Sequence, residues 1–301
     1  MSEEFLEPDA TDAAGSRAMP GSLYVVATPL GHARDVTLRA LDILRTTDII
    51  AAEDTRRTLP LLRRYGIATK PISLHAHNEA QRATSIRAAL SAGKSVTIVT
   101  DAGTPAISDP GARVVRSVHD AGYSVVPIPG PSAVAAAVSG GGLESERFLF
   151  LGFLPPTRNA RRDLLQSVEA LPFALVLYEA PHRVRATVDA LAAVLGVRTL
   201  VVARELTKVF ETIVRLPLAE AGAWFDADPN RERGEFVLIV DGPSPDDKSA
   251  PALAADVDRW LAELLRELPP ARAARVVANV TGVARDQLYA RAMLLKGNPG
   301  R

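Results

Sequence analysis

The chain has 301 residues, 47% of them apolar and 23% charged, with 35 basic and 35 acidic side chains and no cysteine. Such a length accommodates two domains with sizeable cores, and the lack of cysteine excludes disulfides, thiolate zinc sites and a cysteine nucleophile. No apolar run approaches the ~20 residues of a membrane span, and the opening Met1-Ser2-Glu3-Glu4-Phe5 has neither region of a secretion signal, so a cytoplasmic location is expected.

The formal charge of zero conceals an asymmetry. Residues 1–15 carry five acids (Glu3, Glu4, Glu7, Asp9, Asp12) and no base, which leaves 35 basic against 30 acidic side chains, a net of +5, in the remainder. Residues 1–20 are therefore expected to form a disordered acidic tail. The five histidines include no helical HxxxH pair. His75 and His77 share a strand face, a placement that more often lines a cleft than holds a metal, and no metal is expected.

Order begins with a buried strand, Ser22 to Ala27, followed by Thr28-Pro29-Leu30-Gly31-His32. A dinucleotide-binding unit has GxGxxG at this point; its lack argues against NAD and against the commonest methyltransferase fold. Asp35 or Thr37 caps a helix with apolar Leu38, Leu41, Ile43 and Leu44. A second strand, 48–52, ends in Glu53-Asp54-Thr55-Arg56-Arg57, whose charges either face a ligand or pair with one another. A third, 71–74, closes in His75-Ala76-His77-Asn78-Glu79, and a helix runs from Glu79 to Ala92.

Next comes the stretch around which the chain is organised, Val96 to Gly111. Its β-branched half reads as a strand buried on both faces. Its second half, rich in Gly, Pro, Asp and hydroxyl residues, is a rigid loop longer than βα loops usually need. Ligands collect outside the carboxyl ends of strands in open α/β sheets, so this loop is expected to bind one. Asp109 is read as the N-cap of the helix through Asp120, with Pro110 in its first turn. A strand at 124–127 and a Ser132-capped helix follow. Strands alternate with helices, which predicts mostly parallel pairing, and Gly140-Gly141-Gly142 reads as an interdomain hinge.

The second half repeats the pattern with strands at 148–153, 174–178, 200–203, 211–216 and 235–240. Their ends carry Arg, Lys and His, the composition of a groove for phosphate backbone. Residues 244–251 read as a linker. Beyond it an amphipathic helix (Val257, Leu261, Leu264, Leu265, Leu268) precedes a helix–turn–helix pattern whose Arg272, Arg275, Arg285 and Arg291 suit RNA.

These motifs resemble one family, bacterial ribosomal RNA small subunit methyltransferase I within the tetrapyrrole methylase superfamily. The resemblance covers about residues 20 to 295. It rests on Thr28-Pro29-Leu30-Gly31, Ala51 to Arg56, His75 to Glu79, Asp101-Ala102-Gly103-Thr104-Pro105, Asp109-Pro110-Gly111, Pro129-Gly130-Pro131, Tyr178 to Arg183, Ala203 to Lys208, and Arg233-Gly234-Glu235. It implies two α/β domains (21–142 and 143–243) with a cofactor cleft between them and a small C-terminal helical module (252–301). It also implies S-adenosylmethionine as methyl donor, 2′-O-methylation of a cytidine in the decoding region of 16S rRNA within the 30S subunit, and a homodimer. His32 departs from the family's usual Asn, and Glu144-Ser145-Glu146 from a commoner Pro-containing turn.

By motif, the cofactor pocket is expected to involve Pro29, Leu30, Asp101, Ala102, Gly103, Pro105, Ile107, Ser132 and Ala133, with Phe153, Leu154, Tyr178, Ala203 and Gly234 on its far wall. A hydroxyl attacks a methyl group better when its proton is accepted as the bond forms. The candidate acceptors at strand ends are Glu53, Asp54, His77, Glu79 and Glu179, with Glu53 and Glu79 preferred. Arg56, Arg57, Arg158, Arg183, Arg204 and Lys208 are the candidates for gripping RNA phosphates. A tetrapyrrole C-methyltransferase would share the cofactor loops but have no need of the helical module. A non-catalytic ribosome-assembly factor would keep the fold without binding the cofactor.

Overall fold

The computed structural model describes residues 17–243, 251–281 and 283–297; the tail through residue 16 and residues 244–250 of the expected linker lie outside the described residues. Five short strands, β1 (Ser22–Val26), β2 (Ile49–Ala52), β3 (Ile72–Ser73), β4 (Val96–Val99) and β5 (Ser124–Ile128), form one parallel sheet in the order β3-β2-β4-β1-β5. Every residue of β4 is buried, as a strand covered on both faces requires.

The two-residue alternation of each strand divides its side chains between two helical layers. Tyr24, Val26, Ile50 and Ala52 pack with α1 (Leu38–Thr46) and α2 (Thr55–Arg64). Leu23, Ala51, Val96 and Ile98 pack with α3 (Glu79–Ser91) and α4 (Ala112–Asp120). Thr37, not Asp35, caps α1: its hydroxyl accepts the Ala40 N–H at 3.1 Å. Thr37→Ala is expected to cost about 1 kcal/mol in denaturant unfolding, with m unchanged.

The second sheet corrects the expectation of mostly parallel pairing. Its strands, β6 (Phe148–Phe153), β7 (Ala174–Glu179), β8 (Thr199–Arg204), β9 (Thr212–Pro217) and β10 (Phe236–Val240), run in the order β6-β7-β10-β8-β9. The β6–β7 pair alone is parallel. Loop 205–211 is too short to carry a crossover, so β8 and β9 close as an antiparallel pair. The last strand, β10, then enters between β7 and β8, buried along its whole length.

One face of this sheet is covered by α6 (Arg158–Val168), α7 (Val184–Leu195) and α8 (Ala221–Asp226), with Phe225 fully buried among them. The other is covered by α5 (Ala133–Gly140), whose Val134 and Ala137 pack on Val176, Val201, Ala203, Val237 and Ile239. The glycine run at the end of α5 is a contact surface. A Cβ on Gly140 would meet Ile213 Cδ1 at 2.9 Å, and one on Gly141 would meet the Ala137 carbonyl at 2.8 Å. Just beyond, the Asp241 carboxylate accepts the N–H groups of Glu144 (2.9 Å) and Ser145 (3.2 Å), which anchors the atypical Glu144-Ser145-Glu146 segment.

The C-terminal helices α9 (Pro251–Leu264), α10 (Pro270–Thr281) and α11 (Arg285–Gly297) surround a separate small core of Val257, Leu261, Ala273, Ala274, Val277, Leu288 and Ala292. Arg291, one of the arginines expected to suit RNA, is half exposed and already paired. Its guanidinium grips Asp258 with two hydrogen bonds, of 2.7 and 2.5 Å, and ties α11 to α9. No helix among the described residues is long and apolar enough to cross a membrane.

Candidate active site

The carboxyl ends of β1, β2, β4 and β5 open toward the second sheet, and a cavity of about 370 Å³ lies between them. From the first sheet it is lined by Leu30, Glu53, Arg57, the loop from Thr100 to Thr104, Ile107, Ser108, Asp109, Ser132 and Ala133. From the second it is lined by Phe153, Tyr178 to Pro181, Ala203, Leu206, Lys208 and Glu235 to Val237. A neighbouring depression of about 300 Å³ shares Leu30, Arg57, Thr100 and Asp101 and adds Pro29, Pro60, Leu61 and Arg64.

Backbone geometry shapes the floor. Thr28 and Gly103 exchange N–H···O bonds of 2.8 and 2.9 Å, and Gly103 sits at φ +83°, a conformation natural to glycine. Ala106 (φ 68°) and Ser108 (φ 64°) are also left-handed, a strained arrangement for residues with a Cβ and one that clusters at functional sites. It carries Ile107 and Asp109 to the cavity wall. The Thr104 hydroxyl donates to the Pro131 carbonyl at 3.0 Å, pinning this loop to the turn before α5. The sheets meet again where the His32 N–H donates to Thr207 Oγ1 at 3.0 Å. At Gly31 a Cβ would lie 2.3 Å from Lys208 Cγ, so any larger residue in the first loop would displace the Lys208 side chain.

The wall is apolar along Leu30, Ile107, Ala133, Phe153, Tyr178, Ala203, Leu206 and Val237, and Tyr178 makes edge contacts with Phe150 (5.0 Å) and Phe153 (5.7 Å). Against it, on the side of the first sheet, stand three carboxylates. Glu53 Oε2 accepts the Thr100 hydroxyl at 2.5 Å. Asp101 Oδ1 accepts the Asp54 N–H at 3.0 Å, and its other oxygen lies 3.5 Å from Arg57 Nε. Burial, with Glu53 adding to it, pushes the Asp101 carboxyl above its usual range. Burial, then Glu53, carries Asp109 further, to about 6. Burial, and then Asp109, also raises the Tyr178 phenol. Apolar walls for a base and carboxylates for a cation fit a ligand that carries an adenine and a positive sulfonium and ammonium.

Not every expected residue reaches the cavity. Leu30, Asp101, Ala102, Gly103, Ile107, Ser132, Ala133, Phe153, Tyr178 and Ala203 line it, and Pro29 lines the adjoining depression. Three do not. Pro105 is buried beneath the loop, and Leu154 belongs to the core under α6 and α7. Gly234, at φ +92°, makes room for Glu205, whose Cγ would lie 2.4 Å from an added Cβ.

Among the expected proton acceptors, Glu53 and Glu179 line the cavity and the rest do not. Asp54 is the N-cap of α2, and its carboxylate holds Arg56 through bonds of 3.0 and 2.7 Å, so here the charges pair with one another as the simpler alternative had it. Their partner bonds, and next Arg56's charge, hold Asp54 down at about 2. His77 is exposed, its ring 6.0 Å from that of His75. Glu79 is buried, and its Oε1 accepts the N–H groups of Gly111 (3.0 Å) and Arg113 (2.8 Å). It caps α4 from another element, the role expected of Asp109. Glu179 is buried and saturated by the Thr187 hydroxyl (2.5 Å), the Ala180 N–H (2.9 Å) and Arg183 Nε (3.3 Å).

The expected phosphate cations divide similarly. Arg56, Arg57 and Arg158 are exposed. Arg183 is instead held inward by Glu179 and the Leu154 carbonyl. Arg204 donates to the carbonyls of Arg233 (2.5 Å) and Phe210 (3.3 Å), and Lys208 bonds Glu205 and Glu235, each at 2.8 Å. Cavity residues not foreseen include Thr100, Ser108, Asp109, Leu206 and Glu235.

Two unlike α/β sheets joined over a carboxylate-bearing cleft define a class of methyltransferase. Residues 22–222 match the tetrapyrrole (corrin/porphyrin) methylase family model, and residues 251–296 match the model described as the RsmI C-terminal HTH domain. Among curated relatives, ribosomal RNA small subunit methyltransferase I of Escherichia coli O157:H7 is 46% identical, covering 92% of this chain and 96% of that one. The protein of the same name from Mesorhizobium japonicum is 42% identical over 95% and 96%. Among solved structures, diphthine synthase (TM-score 0.57, 15% identity, 74% of this chain and 90% of that one) and uroporphyrin-III C-methyltransferase from Thermus thermophilus (0.52, 17%, 73% and 94%) share the fold. The chain belongs to the ribosomal RNA small subunit methyltransferase I family of tetrapyrrole-methylase-type enzymes.

Proposed function

We propose that this enzyme methylates the 2′-hydroxyl of a cytidine in the decoding region of 16S rRNA, on the 30S subunit, using S-adenosylmethionine. The observation that carries this reading is the cleft itself, with apolar walls on both sheets and Glu53, Asp101 and Asp109 on one side. The relatives' shared name supports RNA as the substrate. When bound, the cofactor supplies an already activated methyl group. The protein's task is then mainly alignment, which can contribute on the order of 7–11 kcal/mol.

In this reading Leu30, Ile107, Ala133 and Tyr178 hold the adenine side, while Asp101 faces the ammonium. Of the residues expected from sequence to accept the ribose proton, Glu53 and Glu179 line the cleft, and Glu179 is saturated by its partners, which leaves Glu53 to share in the proton's path. The domain boundaries at 142/143 and 243/244 are retained, with the helical module gripping RNA. The active form is a cytoplasmic homodimer that needs no metal.

The test is labelled-methyl transfer onto 30S subunits from a strain lacking the enzyme, followed by nucleoside mapping. A label on 2′-O-methylcytidine is expected; label on a base, or none on rRNA, overturns the proposal. The module's part is tested separately. Arg272 and Arg275 are exposed on α10. Reversing both to Glu is expected to weaken 30S binding about tenfold or more and to flatten its salt dependence by about one unit per lost phosphate contact, with cofactor affinity unchanged.

A further inference from the structure

The cleft contains a carboxylate that no expected role accounts for. Asp109 precedes α4, yet the cap there is Glu79, so Asp109 is free of helix duty and stands at the cavity wall. Its position is enforced. Ser108, immediately before it, is held left-handed, and the Ser108 hydroxyl lies against Gly152, where β6 bulges and an added Cβ would come within 3.1 Å. Loop and bulge therefore clamp the segment from both sheets.

The surroundings of Asp109 are suited to proton transfer. The groups that face it are Glu53, Asp101 and Glu235, all acidic, the Thr100 hydroxyl within hydrogen-bonding reach, and Tyr178 across the cleft. The two cations that line the cavity are both engaged elsewhere, Lys208 by Glu205 and Glu235 and Arg57 by Asp101. Thr100 also donates to Glu53 at 2.5 Å. When Asp109 carries a proton it can donate to Thr100, which in turn donates to Glu53, so the hydroxyl links two carboxylates through one chain of hydrogen bonds.

We propose that Asp109 is the catalytic base, taking the proton of the ribose 2′-hydroxyl, with Thr100 and Glu53 positioned behind it to hold that proton. This deepens the function proposed above and rests on it. As the ribose oxygen bonds the methyl carbon, its O–H bond breaks and the proton passes to the Asp109 carboxylate. The electron pair of the parting carbon–sulfur bond leaves with sulfur, and no further reactant is needed. A carboxyl raised to about 6 is a stronger base than an ordinary one, yet is still ionised at neutral pH. A cationic ligand arriving in the cleft favours the ionised form, so binding releases a proton in mildly acidic buffer.

The sign of the stability effect follows. Because the folded-state value lies above the ordinary 3.8, ionisation of Asp109 opposes folding. The penalty is absent below about 4, grows between about 4 and 6, and is full above that.

The experiment uses the full-length enzyme and its Asp109→Asn, Asp109→Glu and Glu53→Gln variants. Single-turnover methyl transfer to 30S subunits is measured against pH, with thermal melts and calorimetric cofactor titrations of the same proteins. Asp109→Asn is expected to melt higher than wild type at pH 8 but equally at pH 4, and to bind the cofactor more weakly above about pH 6, where the wild-type carboxylate is ionised, so rates are compared at saturating cofactor. It is also expected to lose about 10²-fold or more in transfer rate. The wild-type rate should rise with pH to an inflexion at or below about 6, absent in Asp109→Asn and restored, displaced, in Asp109→Glu. Asp109→Asn with wild-type rate and inflexion, or an inflexion lost in Glu53→Gln but kept in Asp109→Asn, overturns the assignment while leaving the proposed function intact. Wild-type enzyme that binds the cofactor but methylates no rRNA overturns both.

Discussion

Gly103→Val is expected to abolish cofactor binding while leaving a folded protein. At φ +83° a β-branched residue is strained, and an added Cβ lies 3.3 Å from Leu30 Cδ2. The left-handed backbone alone costs about 1–2 kcal/mol. The two remaining γ carbons of valine would enter the cavity or force apart the paired bonds to Thr28. Calorimetry should show at least a hundredfold loss of cofactor affinity, equivalent to about 2.8 kcal/mol, with far-UV dichroism unchanged. Gly103→Ala should fall between. Valine-variant affinity within about threefold of wild type would mean that the ligand does not approach this strand end.

Glu79→Ala has the second large effect, on stability first and activity second. It strips two hydrogen bonds from a buried carboxylate and leaves the Gly111 and Arg113 N–H groups without an acceptor. Bonds to a charged group contribute about 1.5–3 kcal/mol each, so a loss of about 3 kcal/mol is expected in urea unfolding. The methyl-transfer rate should fall because α4 and the segment carrying Asp109 lose their anchor. Glu79→Gln separates capping from catalysis. Its amide oxygen still accepts from both N–H groups, so rate and stability should stay near wild type, whereas a proton acceptor would be disabled by Gln as fully as by Ala.

Much of the scaffold was legible because its signals are local. The β-branched runs at β1, β4 and β10, the Ser132 cap and the floor loop from Asp101 to Gly103 all announce themselves by composition. Strand direction in the second sheet was not legible, because alternation of elements predicts parallel pairing and a tertiary insertion, β10 between β7 and β8, decided otherwise. Helix α2 was missed as well: Pro60 lies inside it and argues against a helix that the Asp54 cap and Leu62 nonetheless support.

Residues expected from the backbone loops line the cleft, whereas several expected side chains turn to other partners. Sequence distance hides that Glu79 caps α4 in place of Asp109, or that Arg183 turns inward to Glu179. The signal that could have found Asp109 was present, since a second acid closed the same rigid loop as Asp101. Its nearness to a helix start suggested a cap and concealed it.

The central claim, that both sheets close over one methyl donor, is tested most directly by a crystal structure of the enzyme with S-adenosylhomocysteine. The account predicts density between the sheets, the adenine against Tyr178 and Ala133 and the amino group toward Asp101. Density elsewhere on the chain, or a cleft left empty at saturating ligand, would contradict it.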